Sequence, residues 1–310
     1  MRIYKSCAIF FLLLILGAML SVFGFGGADG IVLKIRIFKT LGAALCGGAL
    51  AAAGVLLQNL LRNPLADPYI LGTSSGGTLG IVIAGLLGLS YFGAGYYIFI
   101  VGGAFAASLL VCILAYSRGK SSAVKVILAG IAVNIFLSSI VMLVLFLYKQ
   151  SYFSILGFML GNITERPPFV LLTSAILIAA GFIMAVLLGR ATDILSLGEA
   201  QAQTLGADIK TLRYLILLAV ALLVGGAVGL CGAIGFVGFV VPHITRLLIG
   251  PKVKGLVIAS ALLGAAFLVN MELLNRFLFY PRQIPVGILC AMVGAPFFVW
   301  VLLKNKGEYF

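Results

Sequence analysis

Charge is what this sequence has least of. Asp and Glu number 8 in 310 residues, and charged residues of every kind make up 9%. Soluble domains carry roughly 25% charged residues to keep their surface in water, so a soluble fold is excluded. Histidine occurs once, as His243 beside Pro242. It has no neighbouring nucleophile or metal co-ligand and reads as structural, which leaves hydrolytic or metal-assisted catalysis without an obvious base. The cysteines Cys7, Cys46, Cys112, Cys231 and Cys290 are scattered in or at the ends of apolar stretches, with no pair at metal-ligand spacing. They read as small packing residues. No metal and no cofactor is called for, and the chain is not read as an enzyme. Arg118-Gly119-Lys120-Ser121 has the form of the end of a phosphate-binding loop, but Leu114 stands where that pattern requires glycine.

What is abundant is apolar sequence: 63% hydrophobic residues and a mean hydropathy of +1.24. A membrane span takes about 20 apolar residues to cross roughly 30 Å of hydrocarbon, and such stretches recur along the whole chain. They separate near 7–26, 40–61, 69–89, 96–116, 124–147, 169–189, 213–233, 235–249, 256–274 and 284–303. The expected fold is an all-α polytopic membrane protein, with about ten transmembrane helices in one bundle surrounded by lipid. It occupies 1–310 as a single domain. The basic start Met1–Lys5 and the apolar run after it invite a signal-peptide reading. That run extends to Phe25, however, and Gly26-Gly27-Ala28 is a poor cleavage site. It is expected to remain as the first membrane helix.

Orientation follows from the basic residues. With the N-terminus inside, seven Lys and Arg fall in outside loops (Lys34, Arg36, Lys39, Lys149, Arg166, Arg276 and Arg282) and the other 14 of the 21 fall inside. Both ends are then expected in the cytoplasm. The net charge of +13 is mostly this topological signal, so no nucleic-acid partner is needed.

Small residues set the packing. Leu41–Val55 reads LGAALCGGALAAAGV, with Gly or Ala at ten of fifteen positions. In lipid, close backbone approach through small residues drives helix association, so this helix should sit centrally. The glycines of Gly72–Gly80 and Gly225–Gly238 point to broken backbone at membrane depth, tolerated where protein or a water-filled cavity covers it. On the fifth span Asn134 and Ser138 lie one turn apart; they could line a pathway or equally bond helix to helix. Near the outer end of the ninth span stand Glu272 and Arg276, a natural ion pair. An ion-driven carrier needs acids near the midplane, and the sequence offers none there. The energy is expected to come from outside this chain.

One polar island interrupts the apolar sequence: Arg190–Arg213, RATDILSLGEAQAQTLGADIKTLR, holding Asp193, Glu199 and Asp208 of the eight acids. Ser196-x-x-Glu199 has the form of a capping box. Gly206 suits a left-handed helix end, and Asp208 suits the cap of the next helix. Two short helices around a glycine turn are expected here, on the cytoplasmic side, presented to a soluble partner.

Several blocks in order then carry a resemblance. They are Leu56-Leu-Gln-Asn-Leu-Leu-Arg-Asn-Pro-Leu-Ala-Asp-Pro68 with Leu71-Gly-Thr-Ser-Ser-Gly76, then Leu195-Ser-Leu-Gly-Glu199 with Leu205-Gly206. Further on come Gly235-Phe-Val-Gly-Phe-Val-Val-Pro-His-Ile-Thr-Arg246, and Ile284-Pro-Val-Gly287 with Gly294-Ala-Pro-Phe-Phe298. The chain resembles, from about Lys34 to Lys306, the FecCD-type permease subunits of ABC importers for ferric siderophores, haem and cobalamin. The resemblance implies a bacterial or archaeal inner-membrane subunit paired with a second permease copy. Two cytoplasmic ATP-binding subunits and an extracytoplasmic substrate-binding protein would complete the importer. It makes the island the ATPase-coupling segment, through Leu195, Ser196, Leu197, Gly198, Glu199, Ala202, Leu205 and Gly206. It gives a short outer helix near 151–161. It also assigns Arg36, Lys39 and Arg276, with Glu272, to docking of the binding protein. Four positions depart from the family pattern: Phe38 and Lys39 replace Pro-Arg, Glu272 replaces Asp, and Gln283 replaces Glu.

Overall fold

The computed structural model describes residues 2–24, 29–90, 93–116, 123–148, 152–196, 198–206, 208–279 and 283–304. The helices are α1 (Arg2–Phe23), α2 (Gly30–Leu61), α3 (Thr73–Leu86), α4 (Ala94–Tyr116), α5 (Ala123–Tyr148), α6 (Tyr152–Met159), α7 (Pro168–Ser196), α8 (Glu199–Thr204), α9 (Ile209–Cys231), α10 (Val237–Ile249), α11 (Val253–Leu278) and α12 (Val286–Lys304). A 3-10 turn, Pro68–Leu71, lies between α2 and α3. No strand occurs among the described residues. Seven helices (α1, α2, α4, α5, α7, α9 and α11) are long and apolar enough to cross a membrane, and α3, α10 and α12 are shorter apolar helices. These correspond to the ten expected spans. Arg118–Ser121 lies outside the described residues.

A helix is the natural answer to this composition, because hydrocarbon offers no partner to a backbone N–H or C=O. Rows of apolar side chains stay uncovered on the outer helices, Phe146 at 78% and Leu187 at 75% among them; in water this would be a fault, in lipid it is solvation. The centre is α2. Ala49, Leu50, Ala51, Ala52, Ala53, Val55, Leu56 and Leu57 are all buried, as the small-residue run implies. Its glycines let backbones touch. A Cβ on Gly47 would lie 2.1 Å from the carbonyl oxygen of Gly264 on α11, and one on Gly54 would lie 1.8 Å from that of Gly238 on α10.

Three expectations need correction. The second span begins at Gly30, ten residues before position 40. Ile31, Val32, Leu33, Ile35 and Ile37 separate its basic residues, and long Lys and Arg stems keep their charges at the boundary while the helix continues. The sixth span does not stop near 189 but runs through the first third of the polar island to Ser196, with Leu195 buried. The glycine-rich stretches are breaks only in part. α3 is continuous over Gly76–Gly80 and α9 over Gly225–Gly229, and these glycines serve close packing instead: a Cβ on Gly76 would lie 2.3 Å from the Gly103 oxygen, and one on Gly80 2.0 Å from the Phe99 oxygen.

The breaks are at the edge of the first stretch, which Gly72 opens, and inside the second, at Gly232–Phe236 as the Gly225–Gly238 run leads one to expect, and the two meet. After α2 the chain turns at Arg62 (φ 48°) and passes through the 3-10 turn to Gly72. After α9 it turns at Gly232 and Phe236 (φ 69°) before α10. The Ile234 amide donates to the Tyr69 hydroxyl at 2.8 Å, and Pro68 packs on Gly238. Asp67 caps the 3-10 turn by accepting from the Tyr69 amide at 2.9 Å.

Candidate coupling loop and far-end ion cluster

The two ends of the bundle carry its polar chemistry. At one end, α7 enters the island as helix, and this decides the fate of the proposed capping box. Ser196 is still in helical backbone, so its hydroxyl folds back to donate to the Asp193 carbonyl at 2.6 Å. Gly198, at φ 132°, then precedes α8 without any side-chain cap. The box does not form, and the island holds one short helix between the end of α7 and the start of α9. Gly206 takes the left-handed conformation expected of it (φ 79°). Asp208 caps α9, accepting from the Lys210 amide at 3.1 Å, the Thr211 amide at 3.2 Å and the Thr211 hydroxyl at 2.6 Å. The Thr211 hydroxyl and these amides hold its carboxyl below the ordinary carboxylate value. The charged cap is therefore fully in place above the ordinary pKa of about 4 and is lost as pH falls through the lowered one.

α8 is anchored on one side and open on the other. Ala202 is completely buried, while Leu205 is 63% exposed among polar neighbours. Leu197 and the side chain of Glu199 lie outside the described residues. Two further side chains, not picked out by sequence reasoning, hold the loop to the bundle. Arg62, at the C-terminal end of α2, donates to the Leu195 carbonyl at 2.8 Å. Asp193 accepts from the Val253 amide, the first residue of α11, at 2.9 Å. Each charge stands at the helix end whose dipole favours it, Arg62 at the end of α7 and Asp193 at the start of α11.

At the far end, the four expected docking residues fall close together but are not equally available. Glu272 and Arg276 are buried, at 1% and 7% exposure. Arg276 pairs with Glu272 at 3.5 Å and donates to the Ser21 carbonyl of α1 at 2.7 Å. Lys39, half-buried on α2, lies 3.8 Å from Glu272 and donates to Gln283. Arg36, also half-buried, donates to the Val22 carbonyl at 3.3 Å. Next to them, Asn275 bonds Ile284 through both carbonyl and amide, tying α11 to the chain that enters α12. Gln283, a departure from the family pattern, here serves Lys39. One carboxylate faces a buried cation, Arg276, and a half-buried one, Lys39, so Glu272→Ala is expected to destabilise by about 3–5 kcal/mol. Glu272→Gln, which keeps the volume, costs less; thermal melting in detergent measures both.

The pathway candidates divide. Asn134 is used internally: its carbonyl accepts from the Ser75 hydroxyl at 2.8 Å, and its amide donates to the Tyr69 carbonyl at 3.1 Å. It ties α5 to the 3-10 turn and α3. Ser138, one turn further along α5, is half-buried. His243 on α10 has its ring 6.2 Å from that of Phe297 on α12. The thiols of Cys46 and Cys231 meet in the seam between α2 and α9, which their separation in sequence gave no reason to expect. Among the described residues no three His, Cys, Asp or Glu side chains gather as a metal site would require.

Comparison with known proteins decides the family. The FecCD transport family matches residues 7–304. The chain belongs to that family. Over 294 residues, the FecCD chain is 37% identical to the uncharacterized ABC transporter permease protein YvrB of Bacillus subtilis, covering 91% of this chain and 83% of that one. Over 276 residues it is 37% identical to the Fe(3+)-citrate import system permease protein YfmD of the same organism, covering 89% and 82%. A solved structure of an ABC transporter in an inward-facing conformation superposes with a TM-score of 0.88 at 28% identity, covering 97% of this chain and 99% of that one. In this FecCD fold the breaks, the anchored α8 and the buried far-end cluster all lie within matched sequence.

Proposed function

We propose that this chain is the membrane-spanning permease of an ABC importer that moves an iron chelate into the cell. The observation that carries the reading is α8, a short helix seated by buried Ala202 that offers Leu205 outward at an otherwise polar end. A helix held in this way transmits a push instead of absorbing it. The α8 end is the cytoplasmic one, as the basic residues predict, and two ATP-binding subunits engage it, one for each of two permease copies. Both chain ends lie on that side. At the far end the binding protein docks on Arg36 and Lys39, with Glu272, itself paired with Arg276, behind Lys39. A basic rim facing carboxylates steers and orients such docking. Asp67 is fixed against backbone at the meeting of the two breaks, accepting from the Tyr69 amide, and among the described residues no three acids, histidines or cysteines gather, which fits energy supplied by ATP and not by an ion gradient.

Kinship with a ferric citrate permease supports an iron chelate as the cargo; haem and cobalamin, which relatives at similar identity carry, are the other cargoes to compare. The test is uptake into proteoliposomes holding the permease with its ATP-binding subunits and binding protein. Ferric siderophore is expected to enter with ATP and binding protein present, unaffected by an uncoupler. Preferential uptake of haem or cobalamin would move the assignment of cargo. Uptake by this chain alone, abolished by an uncoupler, would sink the ABC reading.

A further inference from the structure

α11 is a continuous run of 26 residues, about 39 Å at 1.5 Å per residue, with polar ties at both ends and a backbone contact near its middle. At its first residue, the Val253 amide is satisfied by Asp193, from the last turn of α7, two residues before buried Leu195. The contact there is backbone-tight: a Cβ on Gly189 of α7 would lie 3.0 Å from the Cα of Lys254. In the middle, Gly264 crosses Gly47 of α2 backbone to backbone, with the Cβ atoms of Leu268 and Ala51 packed alongside. At the far end, Glu272, Asn275 and Arg276 bind Lys39 of α2, Ile284 before α12 and Ser21 of α1. Lys252 itself makes no side-chain cap, so the helix start depends on a carboxylate supplied from the coupling segment.

We propose that Asp193 is the positioning residue that joins the coupling loop to α11, and that α11 carries the displacement as a rod to the far-end cluster. The Gly47–Gly264 crossing is its pivot. The crossing is a close backbone approach that fixes the separation of α2 and α11 at one point, whereas both ends are held by directional bonds. Movement of α8 then pulls the start of α11 through Asp193 and tilts the end that orders Lys39. The same rod works in reverse, so that docking at the far end reaches the ATP-binding subunits. Arg62 is the second tie, from the loop to α2, and the two helices joined to the loop are the two that cross.

The proposal rests on the ABC-importer reading, and a coupling free energy tests it. In the assembled importer in nanodiscs, the Kd of the binding protein is measured with and without a non-hydrolysable ATP analogue. The wild-type ratio should be on the order of tenfold or more, within the range common for coupled sites. In Asp193→Ala the nucleotide-free Kd should stay within about twofold of wild type while the ratio collapses toward one. Asp193→Asn, whose side-chain oxygen still accepts, should keep the ratio. Val253→Pro removes the donor instead: proline suits a first helical position, and Lys252 is already extended (ψ 114°) as a residue before proline must be. It should uncouple like Asp193→Ala, and it decides the matter if Asp193→Ala fails to assemble. A ratio that survives in Asp193→Ala or Val253→Pro overturns the proposal, as does equal loss in Asp193→Asn, which would mean general damage. A wild-type complex that retains no ATP-binding subunit would instead sink the importer reading itself, and the proposal with it.

Discussion

Leu205→Asp is expected to leave a folded, inserted protein that no longer retains its ATP-binding subunits and takes up less than a tenth of the wild-type cargo. The leucine is 63% exposed and sits between Thr204 and Gly206, beyond a helix whose Gln201 and Gln203 are exposed too. Most other exposed leucines of the described residues stand in the long apolar helices, such as Leu12, Leu143 and Leu187, where their neighbours are apolar too. Leu205 has no such neighbours, so a protein groove is the surface that would desolvate it. Fully burying a leucine is worth about 1.5–3 kcal/mol, and about 1.4 kcal/mol is a factor of ten in affinity. An aspartate loses that gain and also places an unpaired charge in the groove. Because the side chain is free in the permease itself, its stability should hold, which separates this variant from changes at buried Ala202. Co-purification of the ATP-binding subunits on tagged permease, followed by uptake, reads the effect. Leu205→Met should behave as wild type, and undiminished co-purification of Leu205→Asp would remove α8 as the contact.

Much of this was readable in the sequence, and what was not has a common cause. Hydropathy gave the ten spans because hydrocarbon imposes one requirement on every residue of a span. Gly206 and Asp208 were readable because a left-handed turn and a helix cap are local chemistry, decided within four residues. Ser196 was misread on the same logic, since whether it caps forward or bonds backward depends on where α7 ends. That end is set by Leu195 packing against the bundle and by Arg62, more than 130 positions away. Asp193 and Val253, 60 apart, illustrate the same limit. The docking residues show a further one. Span positions and charge place Arg36, Lys39, Glu272 and Arg276 at one end of the bundle, and the family resemblance implies their docking role, but their burial depends on how α1, α2 and α11 converge, which ties Arg276 to Ser21. The glycines of α3 and α9 were read as breaks because glycine permits both a turn and a close approach, and only the neighbouring helix decides between them.

Gly54→Val is expected to abolish the folded protein altogether. A Cβ on Gly54 would lie 1.8 Å from the Gly238 oxygen, 2.6 Å from its carbonyl carbon and 2.9 Å from its Cα. All three are backbone atoms, so no rotamer change relieves the contact; α10 would have to move away. It is held from two directions. Pro68 packs against Gly238, and the Gln58 amide reaches the Gly238 and Phe239 carbonyls at 3.4 Å. Arg246 of α10 in turn donates to the Gln58 carbonyl oxygen at 3.2 Å. Retreat of α10 therefore breaks buried bonds as well as packing, and it opens the junction between the two chain breaks. Overpacking by itself costs about 1–3 kcal/mol, and each buried polar group left unpaired adds about the same. Together these consume most of a marginal stability of about 5–15 kcal/mol. Gly54→Ala carries the clashing atom itself and should fold poorly, and Val adds two methyl groups that meet the same backbone. Gly102→Ala on α4 provides the contrast, since a Cβ there meets nothing within 4 Å, and alanine favours a helix over glycine by about 1 kcal/mol. Size-exclusion profiles and melting temperatures in detergent distinguish the three. A monodisperse Gly54→Val protein melting with wild type would mean that α2 and α10 do not touch as described.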